Sequence, residues 1–454
     1  MKRRSAAGWV LLAAALVAFR LPTIARADDA AAAEAFTPLF NGRDLTGWVP
    51  VNVAPDTFTV RGGEIVCTGV PTGVMRTDRQ YENFVLELDY VHLRPGGNSG
   101  LFVWSDAITS VGVPFTRAFE VQVLDGQNTE NYTSHGDIFS IHGSRMTPDR
   151  PHPAGWERCL PSEHRTKPAG EWNHYRVVCN DGSIKLSVNG KEVSGGHNCH
   201  PRKGYICLES EGGLIHFKNI RIHELPSTNP KPADVAAADE GFKSIYTGLD
   251  LAGWAEDPGH GGHWKAKDWT LVYDGASEKE GGDLWTEKEY GDFIMVADWR
   301  LPRKPEKTMR PIFDGAGNVA RNDDGSEKQA EVQDAGDSGI YLRGSKKAEV
   351  NIWCFPAGSG DLTGYRGDKS EPADVRVAAM PKTRADRAPG GWNRFVITMK
   401  GDTCTVSLNG RTVVENARLP GVPRRVRIGL QHHENPIEFG NLYVRELGDG
   451  TPPN

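Results

Sequence analysis

The stretch FTPLFNGRDLTGW at residues 36–48 is answered by FKSIYTGLDLAGW at residues 242–254, and this repetition decides how the chain is organised. Both stretches end on Asp-Leu-x-Gly-Trp. Self-similarity over a long interval is the signature of a duplicated structural unit. Further matches follow in the same order: Asn98–Gly100 with Asp337–Gly339, Phe119–Gln122 with Ala348–Asn351, Gly170–Asn173 with Gly390–Asn393, Val188–Gly190 with Leu408–Gly410, Ile206–Glu209 with Gly429–Gln431, and Phe217–Ile220 with Phe439–Leu442. The chain therefore contains two copies of one domain.

The spacing between matched residues changes along the chain. It is 206 at Trp48 and Trp254, 239 at Ser99 and Ser338, 229 at the two Glu residues and 220 at the later Trp-Asn pairs. Changes of this kind indicate insertions in loops between matched strands. We expect a first domain over 34–226, a polar Pro- and Ala-rich linker over 227–240 and a second domain over 241–448.

Composition and periodicity predict an all-β fold. The 454 residues include 52 Gly and 29 Pro, which favours many turns over long helices. Residues 84–91, 174–179, 184–188 and 215–222 alternate apolar and polar side chains, and their counterparts in the second copy do the same. Asn189-Gly190 and Asn409-Gly410 are typical of type I′ hairpin turns. Each copy is therefore predicted to be an antiparallel β-sandwich.

The amino terminus predicts export. Three basic residues precede an apolar run over 6–19, and Ala25-Arg26-Ala27 has the small-x-small form of a cleavage site. About fourteen apolar residues fall short of the ~20 needed to span a bilayer. We expect a signal peptide over 1–27 and a secreted or periplasmic protein without a membrane segment after cleavage, with an uncleaved anchor as the alternative. The net charge of −6 without basic blocks argues against nucleic acid as a partner.

The seven Cys residues cannot all pair within one chain, and no CxxC spacing occurs among them. Cys179, Cys207 and Cys404 lie in strand-like runs and are predicted to be buried thiols. Cys159 and Cys199 lie in loop-like sequence, so they are the pair to test first for a disulfide.

The ordered motifs resemble the 3-keto-disaccharide hydrolase domain family. They are Asn41-Gly42-x-Asp44-Leu-x-Gly47-Trp48, Asn98-Ser99-Gly100, Glu120-Val-Gln122-x-Leu-Asp125, Gly170–Asn173, Asn189-Gly190 and Phe217-x-Asn219-Ile220, with counterparts in the second copy through Ser338–Gly344, Glu349-Val, Gly391–Asn393 and Leu430–His432. The resemblance implies two tandem concanavalin A-like jelly rolls in a secreted bacterial protein. It also implies action on glycosides that already carry a ketone at C3 of the sugar, made by a separate sugar 3-dehydrogenase.

A C3 ketone acidifies the hydrogen on C2. A base can remove that proton, the C1 substituent leaves by elimination, and hydration of the enone completes a net hydrolysis. This route needs a general base, a proton donor for the leaving oxygen and a positive or donor group beside the enolate oxygen. It does not need the paired carboxylates of ordinary glycosidases.

In the first copy, Glu120 and Gln122 stand two apart on a predicted strand and share a face, while Val121 and Val123 face the core. With the resemblance, Glu120 or His142 is predicted as the base and Arg145 as the electrostatic stabiliser. Gln122 and Asp125 are predicted to contact substrate hydroxyls. The alternative for the strand is an ordinary solvated face.

The loop over 134–145 of the first copy also raises the question of a metal. His135, Asp137 and His142 suit a divalent metal by type, but no catalytic zinc spacing such as HExxH is present. A metal therefore remains an open alternative to ordinary loop polarity. Glu209 and Glu211 are interpreted as rim residues.

In the second copy, the corresponding catalytic candidates are Glu349, His432 and Arg343, and the substrate contacts are Asn351 and Gln431. Trp48 and Trp254 are predicted to lie in the cores, because they hold equivalent repeat positions. The predicted sugar platforms, with interdomain contact as the alternative for each, are Trp104, Trp156 and Trp353.

Each copy keeps only part of the family pattern, so the sequence leaves open which copy turns over substrate. A non-catalytic carbohydrate-binding protein is the alternative function, since a lectin-like sandwich does not by itself establish activity. A structural or interaction module is a third.

Overall fold

A computed structural model describes residues 35–125, 136–255, 260, 262–276 and 282–448. The predicted signal peptide over 1–27 lies outside these residues. Within them, no helix is both long and apolar enough to cross a bilayer. All seven Cys residues are buried free thiols, so the expected pairing of Cys159 with Cys199 is wrong. Cys159 lies on a strand of the smaller sheet and Cys199 on a strand of the larger one.

The first copy is a sandwich of two antiparallel sheets. The larger sheet has the order β10-β14-β13-β12-β6-β16-β4-β3, with β1 paired to β16, and the smaller has the order β11-β9-β8-β7-β15-β5-β2. The strands are β1 (Thr37–Pro38), β2 (Trp48–Pro50), β3 (Phe58–Arg61), β4 (Glu64–Cys67), β5 (Gly73–Thr77), β6 (Phe84–His92), β7 (Asn98–Ser105), β8 (Ala118–Leu124), β9 (Ile138–Ile141), β10 (Arg145–Pro148), β11 (Arg158–Cys159), β12 (Asn173–Asn180), β13 (Ser183–Val188), β14 (Lys191–His200), β15 (Tyr205–Ser210) and β16 (Ile215–Glu224).

The second copy repeats this plan. Its larger sheet has the order β18-β19-β30-β21-β26-β27-β28, with β17 paired to β30, and its smaller sheet has the order β20-β29-β24-β25. The elements are β17 (Lys243–Ser244), β18 (Trp264–Lys267), β19 (Thr270–Tyr273), β20 (Leu284–Tyr290), β21 (Phe293–Arg300), β22 (Glu306–Pro311), β23 (Gln329–Asp334), β24 (Ser338–Leu342), β25 (Ser345–Ile352), α1 (Thr363–Gly367), α2 (Ala373–Ala378), β26 (Asn393–Lys400), β27 (Thr403–Leu408), β28 (Arg411–Arg418), β29 (Val426–Leu430) and β30 (Ile437–Glu446).

The alternating pattern seen in the sequence produces the sandwich. In β12 and β26, every second side chain is buried between the two sheets. The Asn189-Gly190 and Asn409-Gly410 turns have φ values from +46° to +86°, as type I′ turns require. Trp48 and Trp254 are buried in their cores as predicted. The all-β tandem jelly-roll prediction is confirmed.

Two insertions make the copies different. Between β21 and β24 the second copy carries the hairpin β22–β23, whereas the first copy joins the matched strands β6 and β7 directly. Between β7 and β8 the first copy carries the segment 106–117, whereas the second copy joins β24 to β25 by a tight turn at Arg343 and Gly344. These insertions are the changes in spacing read from the sequence.

The segment 106–117, here called the docking loop, joins the two copies through Asp298 of β21. The Asp298 carboxylate is fully buried. It accepts two hydrogen bonds from Arg394, at 2.6 and 2.9 Å, one from the Gly112 backbone N–H at 2.8 Å and one from Asn441 Nδ2 at 2.7 Å. A buried carboxylate is stable only when paired and hydrogen-bonded in this way.

Apolar contacts surround this carboxylate. Phe102, Cys207 and Ala118 lie on the outer face of the smaller sheet of the first copy, the face turned away from its core. They form one buried cluster with Val296 and Tyr443 of the second copy. The outer face of the first copy's smaller sheet is therefore partly covered by the second copy's larger sheet.

Asp298→Ala is expected to leave the Arg394 guanidinium buried without its partner. Breaking one side of a buried ion pair costs about 3–5 kcal/mol, so the free energy of unfolding measured in urea should fall by that amount. Asp89→Ala is the matched control, because Asp89 holds the same position in the first copy and is partly exposed. It should cost about 1 kcal/mol or less. Equal losses in both variants would contradict the docking role of Asp298.

Candidate functional site

Polar residues of the second copy gather at one end of its smaller sheet. Strands β24 and β29 run antiparallel, and Gln431 N–H donates to Gly339 O at 2.9 Å just beyond the end of β29. Asp337 precedes β24 and Asp283 precedes β20 at the same end. Because antiparallel neighbours bring a strand start beside a strand end, distant parts of the sequence meet here.

The floor of this site is built around Gly339. A Cβ at Gly339 would lie 2.7 Å from Glu349 Cγ, so only glycine leaves room for the Glu349 side chain. Buried oxygen atoms without a hydrogen-bond partner in the described structure occur on three floor residues: Glu349 Oε1, Asn351 Oδ1 and Gln431 Oε1. Unpaired buried acceptors are costly, so this concentration is typical of a site that awaits donors from a ligand.

The carboxyl groups of the floor hold protons more tightly than usual. Burial, with the nearby charges of Asp337 and Asp283, raises the pKa of Glu349 to about 8. Burial also raises the pKa of Asp337 to about 7, although the Arg310 guanidinium opposes the shift. Such displaced carboxyls are characteristic of acid–base sites.

A histidine and a lysine share the Asp283 carboxylate. His432 Nδ1 lies 2.8 Å from Asp283 Oδ1, and Lys346 Nζ lies 2.7 Å from Asp283 Oδ2. Asp283 itself is buried. With Nδ1–H donated to a carboxylate, the neutral imidazole has its lone pair on Nε2. Predicted site residues Glu349, His432, Asn351 and Gln431 are therefore brought to one end of the sheet.

The inserted hairpin forms a wall beside the floor. Phe313, which follows β22, stacks with Trp353 at 5.9 Å, and Trp353 stacks with Phe355 at 4.0 Å. The Arg366 guanidinium lies 4.0 Å from the Phe313 ring and pairs with the buried Asp361 carboxylate at 3.0 Å. Trp353 is buried and packs against the hairpin, so it is not the exposed sugar platform that the sequence predicted.

Arg310 of the hairpin lies at the boundary between wall and floor. Its Nε donates to Asp334 Oδ2 at 2.7 Å, and the guanidinium lies 5.1 Å from the Phe355 ring. Its charge acts on both Asp337 and His433. The hairpin therefore brings a positive charge to the acidic end of the sheet.

The counterpart site in the first copy has a different chemistry. Glu120 and Glu209 flank Gly100, where a Cβ would lie 3.1 Å from Glu120 Cγ and 2.7 Å from Glu209 Oε2. Burial, with the nearby charges of Glu211 and Asp137, raises the pKa of Glu120 to about 8. Gln122 Nε2 donates to Asn98 Oδ1 at 2.7 Å instead of facing a free site.

The second copy also approaches this counterpart site. The Thr72 backbone N–H of the first copy donates to Asp268 Oδ1 of the second at 2.7 Å, and the charge of Asp268 acts on Glu211. Phe102 and Cys207 of the first copy lie in the covered interface. The equivalent residues of the second copy are Tyr341 and Gly429. At the first position the second copy adds a phenolic hydroxyl that Phe102 lacks, and at the second position it carries no side chain.

Trp104 and Arg343 are corrected to structural roles. They occupy equivalent positions with positive φ, +53° and +48°. Trp104 Nε1 donates to Glu82 O at 2.7 Å, and Arg343 Nε donates to the equivalent carbonyl of Gly291 at 2.7 Å. Both side chains are buried, so Trp104 is not a sugar platform. The Arg343 guanidinium also donates to Gly401 O and to Asp292. Its positive charge is therefore paired with Asp292 and does not face the floor.

The remaining candidates of the first copy do not meet at one site. Asp125 Oδ2 accepts from the Gly96 N–H at 3.0 Å and fixes the turn before β7. His142 lies in the turn after β9 and stacks on Phe115 of the docking loop at 6.2 Å. Arg145 is exposed on β10 at the edge of the larger sheet. Glu120 and His142 belong to the smaller sheet, so the prediction of Arg145 as stabiliser beside either of these two alternative bases is wrong.

The candidate metal ligands are also separated. His135 lies outside the described residues. Asp137 precedes β9 and His142 follows it, so about five residues of extended chain, on the order of 16 Å, lie between them. Asp137 is buried at 3.4 Å from Arg158. Asp137 and His142 therefore cannot ligate the same ion.

Of the three predicted platforms, Trp156 is exposed, and it stacks on His152 at 4.2 Å. The residues that sequence reasoning missed are Asp283, Asp337, Arg310 and Lys346. Asp337 already stood opposite Asn98 in the repeat, and a change from amide to carboxylate at a matched position was the available signal. For Arg310, the only signal in the sequence was the length of the insertion that contains it.

Glu209→Gln is expected to raise the melting temperature near pH 8.5 and to change it little near pH 5. Burial raises the pKa of Glu209 well above its usual range, so its contribution to stability is present at low pH and is lost as the pH rises through the folded-state pKa. The amide removes that loss. The exposed Glu157→Gln is the control, and a Glu209→Gln melting curve that follows the control at both pH values would contradict the assignment.

Comparison with known proteins agrees with the duplication. The model of the 3-keto-alpha-glucoside-1,2-lyase-like domain matches residues 35–223 and again residues 241–445. No curated protein matches the chain. The solved structure of a candidate glycosyl hydrolase from Parabacteroides distasonis is 24% identical, with 43% of this chain and 95% of that chain covered and a TM-score of 0.34.

A carbohydrate-binding module from Bacillus subtilis is also similar in structure. It is 14% identical, with 39% of this chain and 96% of that chain covered and a TM-score of 0.29. The family match spans most of the chain in two segments that carry the repeated motifs. The chain therefore belongs to the family of 3-keto-alpha-glucoside-1,2-lyase-like domains and carries two tandem copies of that domain.

Proposed function

We propose that the second copy cleaves 3-keto-glycosides by removing the C2 proton, eliminating the C1 substituent and hydrating the product. The observation that carries this proposal is the set of unpaired buried oxygens on Glu349, Asn351 and Gln431 around Gly339. Sugar hydroxyls can donate hydrogen bonds to these oxygens. The family match supports a sugar ligand.

His432 is the proposed base. Asp283 holds its Nδ1, so Nε2 carries the lone pair, as in other carboxylate-oriented histidines. As the C2–H bond breaks, the proton goes to Nε2 and the electron pair forms the enolate with the C3 oxygen. Lys346 contacts the other oxygen of Asp283, opposite the imidazolium that results.

Glu349 is the proposed acid. Its raised pKa keeps the carboxyl protonated at neutral pH, which is the state that can donate to the leaving glycosidic oxygen. As the C1–O bond breaks, that oxygen takes the Glu349 proton and the enolate electrons form the C1–C2 double bond. Water then adds to the enone, which gives the hydrolysed sugar.

Arg310 is the proposed stabiliser of the enolate oxygen. It is a fixed positive charge at the acidic end of the floor, held by Asp334 and the Phe355 ring. A preorganised charge of this kind stabilises the transition state more than the neutral ketone. Arg310 replaces Arg343, which the sequence had suggested for this role.

The first copy is proposed to be a scaffold for the second. Its equivalent face is partly covered, and Gln122 is already paired. Export of the mature chain, and supply of the ketone by a separate sugar 3-dehydrogenase, complete the proposed setting. A non-catalytic carbohydrate-binding function is the alternative. It predicts that the protein binds a 3-keto-glucoside without cleaving it.

Glu349→Gln is expected to lower kcat for release of the leaving group from a 3-keto-glucoside by about 10²–10⁴-fold, because the acid is lost. Glu120→Gln, the same change at the matched position of the first copy, should leave kcat within about twofold. Release is followed with a chromogenic aglycone. Retained sugar binding with no release by the wild-type protein would refute the enzyme and favour the binding alternative. Loss in Glu120→Gln alone would move the site to the first copy.

Arg310→Gln is expected to lower kcat of the folded fraction by about 10²–10³-fold, because the charge acts on the transition state, and also to lower the melting temperature, because it leaves the buried Asp334 without this partner. Arg343→Gln should lower the melting temperature with kcat preserved in the folded fraction, since Arg343 satisfies buried carbonyls. The assignment fails if Arg343→Gln loses kcat while Arg310→Gln does not.

A further inference from the structure

A cavity of about 530 Å³ opens on the outer face of the larger sheet in the first copy, away from the proposed catalytic site. Strands β6, β12 and β16 contribute Asp89, His174 and Asn219 to its lining. Phe40 and Pro38 supply apolar wall. Its volume lies in the range of small-molecule sites.

The second copy shows what these three positions can do. By the strand register, Asp89, His174 and Asn219 correspond to Asp298, Arg394 and Asn441. In the second copy this constellation receives the docking loop, whose backbone groups satisfy it. Asp298 accepts from Gly112 N–H at 2.8 Å, Arg394 donates to Thr109 O at 3.0 Å and Asn441 donates to Val113 O at 2.9 Å.

The first copy keeps this constellation without the loop. The second copy has no counterpart of the docking loop, because Arg343 and Gly344 make a tight turn there. Gly63 also stands at the position of Trp269, which packs beside Trp392 at 5.1 Å in the second copy. The surface that the docking loop covers in the second copy is therefore uncovered in the first copy.

Polar atoms in the cavity retain unused capacity. Asp89 Oδ1 lies 2.7 Å from His174 Nδ1, and Asp89 Oδ2 accepts from Asn219 Nδ2 at 2.6 Å. Within the described residues, His174 Nε2 and Asn219 Oδ1 have no hydrogen-bond partner, and both side chains are exposed. With Nδ1–H donated to Asp89, the neutral His174 presents Nε2 as an acceptor.

The surrounding charges select the class of ligand. The second copy packs the docking loop against Val296, Val396 and Tyr443. The equivalent positions of the first copy are Glu87, Arg176 and Arg221, which form an ion-paired network in which Glu87 binds both arginines. Apolar side chains of a peptide loop would meet charge there. An anion would meet the acceptors of Asp89 and Asn219, while the Arg221 guanidinium that lines the cavity is already paired with Glu87. A neutral ligand rich in hydroxyl donors meets neither difficulty.

We propose that this cavity, lined by Asp89, His174 and Asn219, is a second carbohydrate-binding site that takes a neutral oligosaccharide and performs no chemistry on it. It goes beyond the proposed catalytic function, because it belongs to the other copy and to the other sheet. Hydroxyl groups of the sugar donate to His174 Nε2, Asn219 Oδ1 and the Asp89 carboxylate. Such a site would hold the enzyme on a polymer while the second copy acts.

The test uses the full mature chain with maltotriose and cellotriose as probes, at concentrations up to about 10 mM, and measures binding by saturation-transfer NMR and calorimetry. His174→Ala and Asn219→Ala are each expected to raise the Kd of the bound probe about tenfold or more, equivalent to about 1.4 kcal/mol. Ser187→Ala, on the outer face of β13 in the same sheet, is the control and should bind as wild type does.

Release from a 3-keto-glucoside should stay within about twofold of wild type in all three variants, which separates this site from catalysis. Melting temperatures confirm folding. The proposal is overturned if neither trisaccharide binds the wild-type chain, or if His174→Ala and Asn219→Ala bind as Ser187→Ala does. It is also overturned if a synthetic peptide of residues 106–117 binds this face in place of the sugars.

Discussion

The structure depends on one buried carboxylate. Asp298 lies in the seam between the copies, where water is excluded, and its charge is tolerable only because Arg394, Asn441 and the docking loop surround it with N–H groups. Removing any of these donors would leave charge or polarity unpaired in an apolar cluster. The carboxylate therefore fixes the relative placement of the two sandwiches, and with it the face of each copy that remains open.

From this constraint follows the division between the copies. One duplication supplied two similar sandwiches, and two insertions made them unlike. The docking loop leaves the first copy as a support, and the hairpin β22–β23 gives the second copy a wall and the Arg310 charge. Gly100 and Gly339 still make the same gap in both floors. What differs is that Gln122 is already paired with Asn98 in the first copy, whereas Asn351 and Gln431 of the second keep unpaired oxygens.

The sequence predicted the tandem sandwiches because their signals are local: alternation, hairpin turns and repeated motifs. Glu349 and Asn351 lie on a strand, and Gln431 and His432 follow one, whose pairing the repeat suggests, so these four residues could also be predicted. Asp283 and Arg310 could not. Asp283 meets His432 only through the pairing of β20 with β29, and Arg310 depends on where a long insertion folds.

Arg343 and Trp104 mislead for a related physical reason. A charged side chain and an aromatic side chain at matched positions look like a functional difference. Each instead donates an N–H to a backbone carbonyl at the equivalent position of its own copy, from a residue with left-handed backbone conformation. The role depends on a backbone geometry that residue types do not reveal. His142 and Arg145 mislead because the chain passes from the smaller sheet to the larger sheet between them, so nearness in sequence does not bring them to one site.

The seam also bears on how the protein can be divided. Val296, Val396 and Tyr443 form an apolar patch that lies against the first copy in the intact chain. Without the first copy they would face water beside Asp298 and Arg394. An exposed apolar patch of this kind promotes aggregation. The first sandwich thus acts as a built-in solubility partner for the second, and expression of the second alone would call for these positions to be made polar.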